Sequence, residues 1–174
     1  MDKRLFIRGD LKIEYNYTKL DEFVKAVNII YIQATGSGEG PYKEDIMDWA
    51  HLREVPSMNK YYDNMHTYHI SYAAAPGTDR EYIRARRYTA SGLGGTEIKP
   101  DYNPDDFFAP GVKHHISIIK LSRKLYMYIK NPEKSIFCYW HNTDYPPVEE
   151  GYVGLRHMYT QIGRYQDFRI SKLN

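Results

Sequence analysis

Arginine, histidine and acidic residues stand where they could act on a charged ligand. Arg84 and Arg86 are two apart on one alternating segment, and Arg156 lies on another. A guanidinium matches a carboxylate bidentately, so these three on one face would suit an anionic sugar such as a uronate. Each could instead pair with a carboxylate of the chain, with Glu14, Asp79 and Glu81 as the candidates. His69 carries the side chain best suited to moving a proton near neutral pH. Glu14 could serve as general acid or base. A retaining glycosidase needs a second carboxylate about 5 Å away. Tyr15 to Thr18, which follow Glu14, include no acid. That counts against hydrolysis, since Asp144, Glu149 and Glu150 could approach only from a loop. In a β-elimination, Arg84 or Arg156 would neutralise a uronate carboxylate, and His69 or a groove tyrosine would take the C5 proton.

Other residues offer contacts. Trp140 and His141 end a segment beside Asn142 to Pro147. A tryptophan there could stack on a sugar ring or lie in the core beneath the loop. Trp49 is a comparable lid candidate. The histidine spacing is not that of a metal site. His66 and His69 are three apart on an alternating segment and diverge, as do the adjacent His114 and His115. The chain has no HExxH motif, and its single cysteine, Cys138, excludes a disulfide framework.

The elements that must carry these residues are strands. The chain has 174 residues, enough to bury a core in one domain spanning 1–174. Tyr 18, Phe 6 and Trp 2 make 15% of it. Tyrosine favours strands and has an apolar body with a wet tip, so this excess predicts a large half-wet aromatic surface. A net charge of +2 is too balanced for a nucleic-acid-coating protein. No apolar run is long enough for a membrane span.

Period-two alternation marks Asp10 to Tyr17, Thr67 to Ala73 and Tyr82 to Tyr88. Val27 to Gln33 is nearly all apolar and reads as a central strand. His114 to Leu121 and Lys124 to Lys130 form a hairpin about Ser122-Arg123. Ser135 to His141, Tyr152 to Tyr159 and Tyr165 to Ser171 complete the set. About nine such strands predict an all-β, two-sheet antiparallel jelly-roll sandwich. One short helix is expected over Lys43 to Glu54, inside a long connection from Ala34 to Met65. Thr89 to Pro110 reads as a second irregular stretch.

The C-terminal third carries a resemblance. His114-His115-Ile116-Ser117-Ile118 opens the hairpin, Phe137 to Trp140 follows, then Gly151-Tyr-Val-Gly-Leu-Arg-His-Met158, and Tyr165 to Ile170 closes the chain. This resembles the closing half of the concanavalin A-like lectin/glucanase jelly roll. It more closely resembles the YesU-like family, a bacterial group of unknown function often found with pectin-degrading genes. Leu11 to Tyr17, Val27 to Gly36, Tyr61 to Tyr72 and the Arg84–Arg87 cluster match that family's order.

The resemblance implies a concave groove on one sheet. By parity the groove set is Glu14, Asn16, His69, Arg84, Arg86 and Arg156, with Val153, Leu155 and His157 on the core side. It implies an oligosaccharide or polysaccharide partner, with uronate-rich glycans such as pectin favoured. It leaves open a polysaccharide lyase, a glycoside hydrolase or a non-catalytic carbohydrate-binding module. No cofactor is expected beyond a structural calcium ion near Asp167. Family members have a further strand before the equivalent of Leu11 to Tyr17. The chain is therefore expected either to lack that first strand or to use Arg4 to Arg8 in its place. An unpaired edge would allow a homodimer. As the sequence stands the protein reads as cytoplasmic, and as periplasmic or extracellular if an N-terminal segment has been removed.

Overall fold

The computed structural model describes residues 6–25, 27–158 and 161–173. Its strands are β1 (Phe6–Arg8), β2 (Leu11–Lys19), β3 (Asn28–Gly36), β4 (Met65–Ala74), β5 (Tyr82–Thr89) and β6 (Glu97–Tyr102), followed by β7 (Lys113–Leu121), β8 (Lys124–Lys130), β9 (Ser135–His141), β10 (Glu150–His157) and β11 (Gly163–Lys172). They form a six-stranded sheet in the order β1-β10-β3-β4-β5-β6 and a five-stranded sheet in the order β11-β2-β7-β8-β9. Every pairing is antiparallel. The expected all-β sandwich is what the chain builds.

Alternation decides which side chains meet between the sheets. Leu11, Ile13, Tyr15 and Tyr17 of β2 turn inward with Ile116, Ile118, Leu125, Met127 and Ile129. Ile30, Ile32, Tyr68, Ile70 and Tyr72 face them from the six-stranded sheet. The tyrosine excess is therefore spent differently from the expectation. Tyr15, Tyr17, Tyr68, Tyr72 and Tyr88 are among the largest fully buried side chains. The hydroxyls of Tyr15, Tyr17, Tyr68 and Tyr72 find partners inside, because a buried phenol is costly unless bonded. Tyr15 donates to Tyr72 at 3.0 Å, Tyr72 lies 3.4 Å from Tyr165, and Tyr165 lies 2.8 Å from Nε2 of His157.

Two elements differ from the sequence reading. β6 lies within the stretch read as irregular, because its Pro100 and Asp101 mimic loop chemistry. Proline is tolerated there because β6 is an edge strand. The expected helix over 43–54 is a 3-10 helix, Ile46–Arg53, followed by the one-turn α1 (Asn59–Tyr62). Asp45 starts the 3-10 helix by accepting the Met47 N–H at 2.9 Å.

At the N-terminal edge, β1 pairs Phe6 with Tyr152 and Arg8 with Glu150. Of the run Arg4 to Arg8, offered as one of two alternatives for this edge, Phe6–Arg8 does pair with β10; Arg4 lies outside the described residues. Tyr159, the expected end of β10, does so too. Among the described residues no helix is long and apolar enough to cross a membrane.

Candidate functional site

The site is built on the outer face of the six-stranded sheet. Register sets its side chains in two rows. Gly154, Tyr31, His69, Arg86 and Glu97 stand side by side across β10, β3, β4, β5 and β6. Arg156, Ile29, Ser71 and Arg84 make the next row. Four of the sequence candidates, His69, Arg84, Arg86 and Arg156, are therefore brought onto one face.

The long connection after β3 folds over part of this face. Ile46, Trp49 and Met65 pack with Ile29, Tyr31, Tyr88 and Tyr152 in a second apolar cluster. Gly36 makes the fold-over possible, since a Cβ there would lie 1.9 Å from the Lys43 carbonyl oxygen and 2.7 Å from Trp49. The indole N–H of Trp49 donates to that same carbonyl at 2.8 Å. Trp49 is thus the buried anchor of the cover rather than a lid edge. The ring of Tyr61, carried by α1, stacks on Tyr31 at 5.7 Å with 9° between planes.

A pocket of about 180 Å³ remains where the cover stops. Tyr31, Tyr61, Tyr152, Gly154 and Arg156 give it an aromatic and cationic wall, completed by Ile46, Met47, Arg53, Met65, Val153 and Leu155. None of these is acidic. Gly154 keeps the floor low, because a Cβ there would meet only Tyr31, at 4.0 Å. The Arg156 guanidinium carbon lies 4.2 Å from the Tyr61 ring centroid, a cation–π geometry.

The three groove arginines are not equivalent. Arg84 donates to Asp101 through Nε at 2.9 Å and through Nη2 at 2.6 Å. Arg86 donates to Glu97 at 2.7 Å and to Thr96 at 3.1 Å. The partners are thus Asp101 and Glu97 rather than Glu14, Asp79 or Glu81. Arg156 makes no ion pair among the described residues, and its Nε is buried without a hydrogen-bond partner. The hydroxyl of Tyr31 is orphaned in the same way. Nine buried side-chain polar atoms lack a partner among the described residues, and these two line the same pocket.

Electrostatics fit this picture. Burial pushes the Tyr31 phenol well above its ordinary range, with Tyr88 adding to the shift and Arg156 opposing it. Tyr31 therefore remains a neutral donor. His69 is sealed beneath the face, 4.9 Å from Tyr88 in a stacked pair and 5.6 Å from Tyr31. Burial, assisted by the Arg86 and Arg84 charges, lowers its pKa to about 3. It is neutral at pH 7 and a weak base.

The remaining sequence candidates lie elsewhere. Glu14 and Asn16 face outward as expected, but from the five-stranded sheet, on the opposite side of the sandwich. Parity gives inside or outside and is silent about which sheet. Glu14 pairs with Lys12 at 2.7 Å, and the Asn16 amide donates to Asp167 at 2.7 Å. Asp167 sits at a bulge in β11. Among the described residues no group of three His, Cys, Asp or Glu side chains could hold a metal ion.

Trp140 is fully buried, its N–H donating to the Pro100 carbonyl at 2.8 Å, so it is a core residue and no sugar platform. His141 is exposed and lines a separate cleft with Glu97, Lys99 and Asp144. Leu155, expected in the core, is 40% exposed. Tyr31, Tyr61 and Gly154 were missed as site residues. The one legible signal was a tyrosine hydroxyl inside the apolar run Val27 to Gln33.

Comparison with known proteins agrees on architecture. No protein-family profile matches the chain, and no curated protein matches it at a significant level. Among solved structures, a Bacillus subtilis protein of unknown function with a galectin-like fold is similar over 96% of this chain and 74% of its own, at 17% identity and a TM-score of 0.65. The exoplasmic/lumenal domain of VIP36, bound to Ca2+ and Man3GlcNAc, is similar over 99% and 72%, at 12% identity and a TM-score of 0.63. The Bacillus subtilis carbohydrate-binding module CBM66 is similar over 96% and 81%, at 12% identity and a TM-score of 0.56. At these identities the likeness establishes the fold, a lectin-like β-sandwich.

Proposed function

We propose that the protein is a non-catalytic glycan-recognition protein whose pocket beside Arg156 takes an anionic sugar residue. The observation that carries this reading is the pair of orphaned polar atoms, Nε of Arg156 and the Tyr31 hydroxyl, in an aromatic pocket lined by no carboxylate. A uronate carboxylate would accept from Arg156, and the apolar face of its ring would lie against tyrosine. The volume is below that of a drug-sized ligand site, which suits one sugar residue or chain end. The likeness to CBM66 and to the glycan-bound VIP36 domain supports carbohydrate as the ligand class.

Binding is favoured over chemistry for a specific reason. An elimination needs a base able to take a proton at neutral pH, whereas His69 is sealed under the face with a pKa of about 3. Paired-acid hydrolysis needs two carboxylates, and the lining residues include none.

Calorimetric titration with galacturonate and glucuronate oligosaccharides, beside neutral glucan and mannan oligosaccharides, tests the reading. Saturable, salt-sensitive binding of the acidic series, lost in Arg156→Ala, is expected. Folded protein that binds no acidic oligosaccharide, or an ultraviolet rise from unsaturated uronate products, would overturn it.

A further inference from the structure

The opposite face of the sandwich carries a second, unrelated surface. Tyr126 and Tyr128 of β8 stand beside Tyr139 and Phe137 of β9 in register, Tyr126 with Tyr139 and Tyr128 with Phe137. All four point outward. Phe137 is 58% exposed and Tyr128 38%. The Tyr126 ring lies 5.1 Å from Tyr139 and 6.3 Å from Phe137. Contiguous exposed aromatics of this kind mark interaction sites.

The strands that carry the quartet bring only positive charge. Lys124 pairs with His141 at one end, and Lys130 pairs with Ser135 at the other, next to His115. The two lysines are six positions apart, roughly 20 Å along an extended strand. Strands β7, β8 and β9 contain no aspartate or glutamate. Neither Lys124 nor Lys130 makes an ion pair among the described residues. Glu14 of β2 is paired with Lys12, and Glu133 lies in the turn between β8 and β9, beyond the end of the quartet.

We infer that the outward face of β7–β9 is a second glycan-binding surface that holds an anionic polysaccharide along the Tyr126, Tyr128, Phe137 and Tyr139 quartet, with Lys124 and Lys130 meeting its charges. The rings supply stacking surface for the apolar faces of sugars, and the lysines supply attraction that falls with salt. A second copy of this chain fits poorly. A two-fold contact through this face would set lysines against lysines with no carboxylate of β7, β8 or β9 between them. The pocket and this face lie on opposite sides of one rigid sandwich, so one molecule could hold two polymer strands. This surface is independent of the pocket reading.

The test uses the full chain and polygalacturonate as probe, read by retardation in affinity electrophoresis at low salt. The face variants are made in the Arg156→Ala background, which removes the pocket's contribution and is itself expected to remain retarded. Tyr128→Ala/Phe137→Ala and Lys124→Glu/Lys130→Glu should each weaken retention at least tenfold, with unchanged thermal midpoints because the side chains are exposed. Added salt should abolish retention. The inference is overturned if neither face variant changes retention, if Arg156→Ala alone abolishes it, if poly(U) binds more tightly than polygalacturonate, or if wild type sediments as a dimer that the face variants dissociate. Failure of the oligosaccharide titration with retention intact would remove the pocket reading and leave this one standing.

Discussion

Tyr102 closes the open edge of β9 with a single hydroxyl. It accepts the backbone N–H of Tyr139 at 2.9 Å and donates to the carbonyl of the same residue at 3.0 Å. An edge strand otherwise offers these groups to another chain. Here a residue of one sheet satisfies both at the edge of the other and ties the two sheets together. Tyr102→Phe removes only the hydroxyl. The expected result is a monomer of nearly unchanged stability that self-associates more readily as concentration rises, read by sedimentation velocity. A variant that stays as monodisperse as wild type would show that the edge is protected in another way.

Arg156 should be dispensable for folding and required for the ligand. Among the described residues it makes no ion pair and its Nε is orphaned, so its loss forgoes chiefly the contact with Tyr61, about 0.5–1 kcal/mol. Arg156→Ala is therefore expected to keep its thermal midpoint within a few degrees while losing affinity for acidic oligosaccharides. Arg156→Lys should recover little, since an ammonium lacks the bidentate fork. Full binding by Arg156→Ala would contradict the role given to this residue.

Two glycines of β10 separate stability from recognition. At Gly151, φ is +140° and a Cβ would lie 2.4 Å from the Gln33 carbonyl carbon. Gly151→Ala forces backbone apart and should destabilise by several kcal/mol. At Gly154 a Cβ meets nothing nearer than 4.0 Å. Gly154→Ala should fold normally and raise the pocket floor, weakening the ligand several-fold. Chemical denaturation and titration of both variants check the contrast. Equal loss of stability in the two would show that Gly154 serves the backbone rather than the pocket.

The strands could be read from the sequence because alternation is imposed by burial, and burial is a property of each residue. Ile13, Tyr15 and Tyr17 alternate with Lys12, Glu14 and Asn16, and the sandwich buries that first set. The assembly of the site could not be read in the same way. Glu14 and His69 are both outward-facing, yet they sit on opposite sheets, because strand order is set by long-range pairing. Trp140 ends its strand beside a loop, where a rim position was as plausible as a core one until β6 was placed against it. β6 itself was hidden by Pro100. The chosen pocket depends on Tyr61, which reaches Tyr31 only because a segment of some thirty residues folds back across the sheet.

His69 makes the stability of the protein sensitive to acid. In the unfolded chain its imidazole takes up a proton near 6.5, and in the folded protein only near 3. Burial is the chief cause, with the Arg86 charge second. Between these values the unfolded state binds more protons, so stability falls as the pH is lowered through that window and is fully present above it. Burial lowers His66 and His114 in the same direction, so the effect is shared. His69→Phe keeps an aromatic ring between Tyr31 and Tyr88 and removes one titrating group. Its thermal midpoint should fall less than that of wild type between pH 7 and pH 4.5, while the affinity for acidic oligosaccharides at pH 7 stays within a few-fold. An identical fall in the two proteins would mean that His69 is solvated or already partnered when folded. A large loss of affinity at unchanged stability would instead bring His69 into contact with the ligand and reopen elimination as the chemistry of the pocket.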